Sequence, residues 1–342
     1  MRPPVAPVTY RDVLDRAWQE HLAPRAAGAP TVISTFAGAG GSSLGYSMAG
    51  YRELLAVEWD PTAAATLRLN LPGVPVHEGD IAKLAVEDCL REAGLAPGEL
   101  DVLDGSPPCQ GFSTAGRRVL DDPRNELFRE FVRLLRGLRP RAFVLENVQG
   151  LVKGKMRLVF ADMLRELRAS GYAVAARVLD AAYFGVPQHR RRLIVLGARD
   201  DLGVVPTHPG AATRPTTLRA AVDDLEDTAQ CGPVPSPLRE QRWRATRRGD
   251  AHPERFSLLR LAWDRPAPTV LRVSGSGGHM HPDEARLLNV AELRRVASFP
   301  DQFEFAGDWA SAVSQIGNCV PPLLMRAIAG HVARVLAVRV AA

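Results

Sequence analysis

Cysteine is scarce in this chain. Cys89, Cys109, Cys231 and Cys319 are the only four in 342 residues, and no two of them stand in a Cys-x-x-Cys pair. That spacing argues against a zinc site and against a disulfide framework, so no metal is expected and a reducing, cytoplasmic setting fits. No uninterrupted apolar run reaches the ~20 residues of a membrane span. The opening Met1-Arg-Pro-Pro-Val-Ala-Pro7 lacks the apolar stretch of a signal peptide, and no membrane partner is expected. Internal repeats and low-complexity tracts are missing as well, which sets solenoids and disordered arrays aside. Charge of one sign is in short supply too. Lys and Arg number 43 against 38 Asp and Glu, a net of +5, which is compatible with nucleic acid without specifying it. What is present is ordinary for a globular protein, 46% hydrophobic and 24% charged. The length suffices for a sizeable core and for two domains.

The chain is organised around Asp101-Val-Leu-Asp-Gly-Ser-Pro-Pro-Cys109-Gln-Gly-Phe-Ser113. A short apolar run reads as a buried strand that ends at Gly105-Ser106-Pro107-Pro108. Two prolines cannot extend a hydrogen-bonded ladder, so the chain leaves the sheet on a defined path. Cys109 then falls at the carboxyl end of a parallel strand, where open α/β sheets bind ligands. Gly111, Ser113 and Gly116 and the mixed charges up to Asp122-Pro123 suggest a loop able to close over a substrate.

Upstream, Thr31 to Phe36 is β-branched and apolar and runs straight into Ala37-Gly38-Ala39-Gly40-Gly41-Ser42-Ser43. A strand feeding a glycine turn that opens a helix suits a nucleotide-like cofactor. The dinucleotide fingerprint wants a third glycine where Ser43 stands, which weakens a nicotinamide reading. Leu54 to Asp60 is a second apolar strand ending in acid. Glu58 there is placed to accept ribose hydroxyls, and Trp59 either offers a flat face to an adenine or is core. Pro61 to Leu71 reads as a helix, Val74 to His77 as a third strand, and Glu78-Gly79-Asp80-Ile81 brings another carboxylate to a strand end. Asn125 to Gly137 has helical spacing, Arg141 to Leu145 is a strand, and Glu146-Asn147-Val148 closes it. Glu58, Asp80 and Glu146 thus stand at three strand ends. Desolvating an unpaired carboxylate is costly, so three of them point to a site.

Met156 to Ala169 reads as an amphipathic helix, followed by strands over 172–179 and 193–197. Between those strands lies Gln188-His189-Arg190-Arg191-Arg192. Alternation on entering a strand points Arg190 and Arg192 the same way and His189 elsewhere. Residues 200–268 change character, with little periodicity, Trp243 and Trp263, and eight arginines against four acids between Arg239 and Arg265. That pattern suits phosphate contacts with some base-edge reading. Tyr10 to His21 is a possible helix in what reads as a peripheral extension.

Pro-Cys109-Gln-Gly-Phe-Ser resembles the nucleophile motif of the DNA (cytosine-5) methyltransferases of bacterial type. Six motifs of that family follow in order from about Thr31 to His331. The resemblance implies an α/β fold: a class I S-adenosylmethionine-dependent methyltransferase domain, Rossmann-like with a mostly parallel sheet, and a smaller, irregular target-recognition domain. It implies an N-terminal extension over 1–30, the catalytic domain over 31–198, target recognition over 199–285, a hinge and support segment over 286–316, and a return to the catalytic domain over 317–342. Cys109, Glu146, Arg190 and Arg192 become the catalytic residues. S-adenosylmethionine is expected against Phe36, Gly38, Gly40, Gly41, Glu58, Trp59, Asp80, Ile81, Leu127, Asn318 and Cys319, with Cys319 a packing residue. DNA contacts are expected from Gln110, Ser113, Gln188 and Thr269. Asn289 and Ala291 depart from the family's usual Thr-x-Arg-Glu, which touches the hinge and not the chemistry.

The implied partner is duplex DNA, with the enzyme a monomer working beside a restriction endonuclease or as an orphan. An RNA (tRNA) cytosine-5 methyltransferase on the same scaffold is the first alternative, although that branch's Cys-Phe-Thr signature is absent. A non-catalytic DNA-binding relative is the second, although such relatives usually lose Pro-Cys or Glu-Asn-Val. An NAD oxidoreductase is the remote third.

Overall fold

The computed structural model describes residues 8–108, 126–225, 236–272 and 277–337. Cys109, Gln110, Ser113 and Cys231 lie outside the described residues.

Five apolar runs become parallel strands, β1 (Thr31–Thr35), β2 (Arg52–Glu58), β3 (Val76–Glu78), β4 (Val102–Gly105) and β5 (Ala142–Val148). β6 (Tyr172–Asp180), a two-residue β7 (Gln188–His189) and β8 (Arg191–Arg199) follow. The main sheet has seven strands in the order β3-β2-β1-β4-β5-β8-β6, with β8 antiparallel to both neighbours. Central strands are covered on both faces, so β1 is buried at all five positions and carries no polar alternation. Successive residues still point to opposite sides. Val32, Val102 and Val144 join one hydrophobic cluster, while Ile33, Leu103 and Leu145 join another across the sheet.

The helices of this half are α1 (Tyr10–Leu22), α2 (Gly41–Met48), α3 (Pro61–Asn70), α4 (Val86–Ala93), α5 (Glu126–Leu138) and α6 (Met156–Ala169). α3 starts where its sequence says it should: Asp60 accepts from the Thr62 and Ala63 N–H groups and Pro61 occupies the first turn. α5 buries Phe128, Phe131, Val132, Leu134, Leu135 and Leu138 along one stripe.

Next come α7 (Leu218–Val222), α8 (Pro237–Ala245), β9 (Ala251–His252), β10 (Arg255–Arg260), β11 (Ala267–Pro268), β12 (Gly278–Met280), α9 (Val290–Val296), α10 (Trp309–Asn318) and α11 (Pro322–Ala337). β12-β10-β9 form a small sheet, and β11 pairs with β7. At α9, Asn289 does the work of the expected threonine. Its side chain accepts from Glu292 N–H while the Glu292 carboxylate accepts from Asn289 N–H, a complete capping box.

Two placements differ from the sequence reading. α1 is not peripheral, because its stripe of Tyr10, Leu14, Ala17 and His21 is buried and Tyr10 Oη donates to Arg295 O at 3.4 Å. β5 also runs past its expected end, because Val148 pairs with Arg192 of β8, so Glu146 lies within the strand. Against the expectation that no run is long enough, the stretch Trp309–Ala337 has the length and hydropathy of a membrane span, yet it is two helices with Cys319 to Pro321 between them and its apolar part is mostly buried.

Candidate active site

Strand order reverses between β2-β1 and β1-β4, and a crevice opens at the carboxyl ends of such strands. The turn after β1 is built for close approach of backbone to a ligand. Phe36 has a left-handed φ of 54°, a strained state for a bulky side chain, and Gly38 and Gly40 follow at 56° and 87°. A Cβ on Gly41 would sit 2.2 Å from Val320 O, so only glycine lets α2 begin against the segment after α10. Glu58, 6% exposed, closes β2 and accepts three backbone N–H groups, from Gly38 at 2.6 Å, Asp60 at 2.9 Å and Trp59 at 3.0 Å. Burial raises its carboxyl above the usual range, and these N–H groups pull the other way. Trp59 beside it is 79% exposed, so it is not core. Asp80 caps the short helical turn Ile81–Lys83, Ile81 is buried, and Phe36 and Leu127 are half-buried. A carboxylate, an open indole and left-handed glycine backbone on one edge fit a nucleoside bearing a charged tail.

The second group lies along β4, β5 and β8. Glu146 and Arg192 sit on one face, as the Val148–Arg192 register requires, and Arg192 Nε meets Glu146 Oε1 at 2.7 Å. Both are nearly buried. Asn147, next in the strand, donates from Nδ2 to Pro107 O at 3.2 Å. That bond ties the last residues before Cys109 to the strand that carries Glu146. Cys319 is also close to this group but buried at 7% exposure, with Sγ donating to Ile316 O at 3.0 Å. Burial pushes its thiol up to about 11, with Arg190 and Arg192 opposing. Asn318 beside it is exposed.

Three expected positions behave differently. Gln188, expected at DNA, is 1% exposed, and its amide is engaged by Val270 N–H and Val296 C=O. Arg190, expected beside Arg192 at the substrate, is also 1% exposed and donates to Val270 O and Gly317 O. Burial brings it down to about 10, with Arg192 adding to the effect. Thr269 donates from Oγ1 to His189 O at 2.7 Å. The arginine-rich stretch is likewise partly structural. Arg260 stacks over Trp243 at 3.6 Å and donates to Pro282 O, Arg265 donates to Gly249 O, Arg244 pairs with Glu240, and Arg248 pairs with Asp283.

A polar cluster beneath the crevice escaped the sequence reading. Its one local signal is Asp104, an acid inside an apolar strand. Asp104 is buried and accepts from Tyr46 Oη at 3.3 Å, and Ser43 Oγ donates to Glu53 Oε1 at 2.8 Å. Burial holds Asp104 well above the carboxylate range, with the nearby Glu53 adding to it, and burial pushes Glu53 up to about 7. A group whose folded pKa is raised binds its proton more tightly when folded, so stability falls as pH climbs through the window between the two values. For Glu53 that window runs from 4.5 to about 7, worth on the order of 3 kcal/mol. Glu53→Gln should therefore gain stability over the parent as pH rises through that window, read by denaturant unfolding. Parallel stability–pH curves for the two proteins would exclude it.

This sheet order, with a glycine turn after β1 and an acid ending β2, defines an S-adenosylmethionine-dependent methyltransferase fold. The sequence matches the C-5 cytosine-specific DNA methylase family over residues 30–248 and 241–334. The chain belongs to that family, and its activity is DNA cytosine-5 methylation. It is 34% identical to Type II methyltransferase M.XorII of Xanthomonas oryzae pv. oryzae, over 90% of this chain and 85% of the relative. Against Type II methyltransferase M1.HphI of Haemophilus parahaemolyticus the identity is 35%, over 87% and 85%. A DNA modification methyltransferase encoded within an E. coli prophage superposes with a TM-score of 0.78 at 24% identity, covering 90% of this chain and 99% of that one. The S. pombe Dnmt2 methyltransferase gives 0.67 at 18%, covering 90% and 100%. These two likenesses are of fold.

Proposed function

We propose that the chain methylates a cytosine flipped out of a specific duplex sequence, with Cys109 as the nucleophile. The observation that carries this is the Asn147–Pro107 bond, which leads the chain toward Cys109 from beside the Glu146–Arg192 pair. Carbon 5 of cytosine is a poor nucleophile. Addition of the Cys109 thiolate to carbon 6 makes the ring enamine-like, with the electron pair of the 5,6 double bond pushed toward ring nitrogen 3 and the carbonyl oxygen. Glu146, protonated or sharing its proton with nitrogen 3, neutralises that charge. Arg192 stabilises it at the carbonyl oxygen and, through its ion pair, holds Glu146 in place. S-adenosylmethionine, when bound, supplies the electrophilic methyl group for carbon 5. Loss of the carbon 5 proton and departure of Cys109 then restore the aromatic ring. Carbon 6 is covered inside a duplex, so the base has to leave the stack.

The cofactor is held by the Phe36 to Gly41 turn with Glu58 at the ribose, Trp59, Asp80 and Ile81 at the adenine, Leu127 packed nearby, and Asn318 and Cys319 toward the methionine end. The open space around a Cβ built on Gly38 and the exposure of Trp59 support that fit. Glu58→Ala should weaken S-adenosylmethionine binding by about 1–3 kcal/mol, the cost of losing charge-assisted hydrogen bonds. Equilibrium titration reads this, and tight NADH binding without S-adenosylmethionine binding would overturn it. Residues 199–285 set sequence choice, 286–316 act as hinge and support, and 317–342 return to the catalytic domain, where α11 packs on α2 and Tyr51 Oη donates to Ala329 O. Gln110 and Ser113 contact DNA beside the nucleophile. The enzyme acts as a cytoplasmic monomer, within a restriction-modification pair or as an orphan. Bisulfite sequencing of DNA from cells expressing the chain tests the function. The expected result is methylation at one short sequence, whereas unmodified DNA with methylated tRNA would favour an RNA substrate.

A further inference from the structure

Arg190 and Gln188 are buried where the family resemblance expects them near DNA, and they converge on one peptide. Arg190 Nη1 donates to Val270 O at 3.0 Å, and the Val270 N–H donates to Gln188 Oε1 at 2.9 Å. Both polar ends of Val270 are therefore held from the short stretch that enters β8. Arg190 reaches one step further, since its Nη2 donates to Gly317 O at 2.8 Å. Gly317 itself lies against the same segment, where a Cβ would sit 2.5 Å from Arg272 N. Arg190 Nε has no hydrogen-bond partner among the described residues. A guanidinium buried at 1% exposure and held by carbonyl oxygens is a costly way to pin a loop, unless its placement matters. Two residues further along the same chain is Arg192, ion-paired to Glu146.

We propose that Gln188 and Arg190 are positioning residues that lock the segment around Val270 to the strand carrying Arg192, so that the seating of this segment on DNA sets the geometry of the Glu146–Arg192 pair. The inference rests on reading that pair as the groups that meet the cytosine ring. Arg190 then acts on the reaction through Val270 and Arg192 and not by touching substrate. A displacement of about 1 Å at such a pair can cost about 10²-fold in rate.

The test uses the full chain with Arg190→Lys, Gln188→Met and the double variant, each checked by thermal unfolding to be folded at the assay temperature. Single-turnover methylation is measured on duplexes carrying the cognate site and a site with one base pair changed, and S-adenosylmethionine affinity is measured separately. The expected result is a fall of about tenfold or more in the cognate single-turnover rate, with cofactor affinity within about twofold and reduced discrimination between the two sites. Because both side chains act on one peptide, the double variant should be no more than slightly slower than the slower single one. A cognate rate within about twofold of the parent in both single variants would overturn the proposal, as would losses that multiply in the double variant. Should Arg190→Lys not fold, Gln188→Met decides alone, and an unchanged rate and discrimination would sink it. Wild-type protein is tested in parallel for covalent capture by duplex containing 5-fluorocytosine. Failure there removes the catalytic reading itself, whereas capture with unaffected variants removes this inference alone.

Discussion

Replacing Cys109 with serine should abolish methyl transfer, by about 10⁴-fold or more, because the reaction has no other route to an activated carbon 5. The other cysteines with described surroundings cannot stand in. Cys319 and Cys89 are both buried, and their thiols are pushed up to about 11 and about 12, so neither is a thiolate at neutral pH. Serine preserves size and polarity, so the fold and the Asn147–Pro107 tether should persist. The cofactor turn belongs to β1 and α2, a separate element, so S-adenosylmethionine affinity should stay within about twofold. Burst-phase methylation together with equilibrium cofactor titration reads both halves. Residual turnover within about tenfold of wild type would mean that the covalent step belongs to another group.

Glu146→Gln should be the next largest loss, on the order of 10²–10⁴-fold in kcat, the usual worth of a positioned proton donor. Glutamine retains the shape and can still accept a hydrogen bond from Arg192, but it cannot hand a proton to ring nitrogen 3. It also leaves the nearly buried Arg192 without the carboxylate that meets it at 2.7 Å. Removing one member of a buried pair costs about 3–5 kcal/mol when nothing replaces it, and the amide should limit that loss. The change should therefore appear in kcat far more than in thermal stability or in cofactor affinity. A kcat within about tenfold of wild type would place the proton elsewhere.

These expectations draw on parts of the chain that were unequally visible in its sequence. β1 and β4 could be read because strands covered on both faces need unbroken apolar runs, and their ends could be read because Phe36-Ala-Gly and Gly105-Ser-Pro-Pro stop them. Glu58 and Glu146 stood out as acids where desolvation demands a reason. The extension of β5 to Val148 depends on β8, more than forty residues later, and no local pattern carries that pairing. The burial of Gln188 and Arg190 is illegible locally for the same reason. Alternation indicated the direction in which their side chains leave the chain, but the Val270 peptide that buries them is 82 and 80 residues away. An arginine-rich run says nothing of which members are structural, and Arg260 is one of those because Trp243 lies beneath it. The stripe on α1 was legible as a helix, whereas its burial depended on partners such as Arg295 at the far end of the sequence. Local periodicity reports which face is apolar, and only tertiary packing decides what covers it.

Incubation of the protein with S-adenosylmethionine and duplex DNA carrying 5-fluorocytosine at the methylated position tests the central claim most directly, because fluorine cannot leave carbon 5 as the proton does. The expected result is a complex that survives denaturation, with the modified base attached to the peptide bearing Cys109. Attachment at Cys231 or Cys319, or no covalent complex from protein that methylates the ordinary duplex, would contradict it.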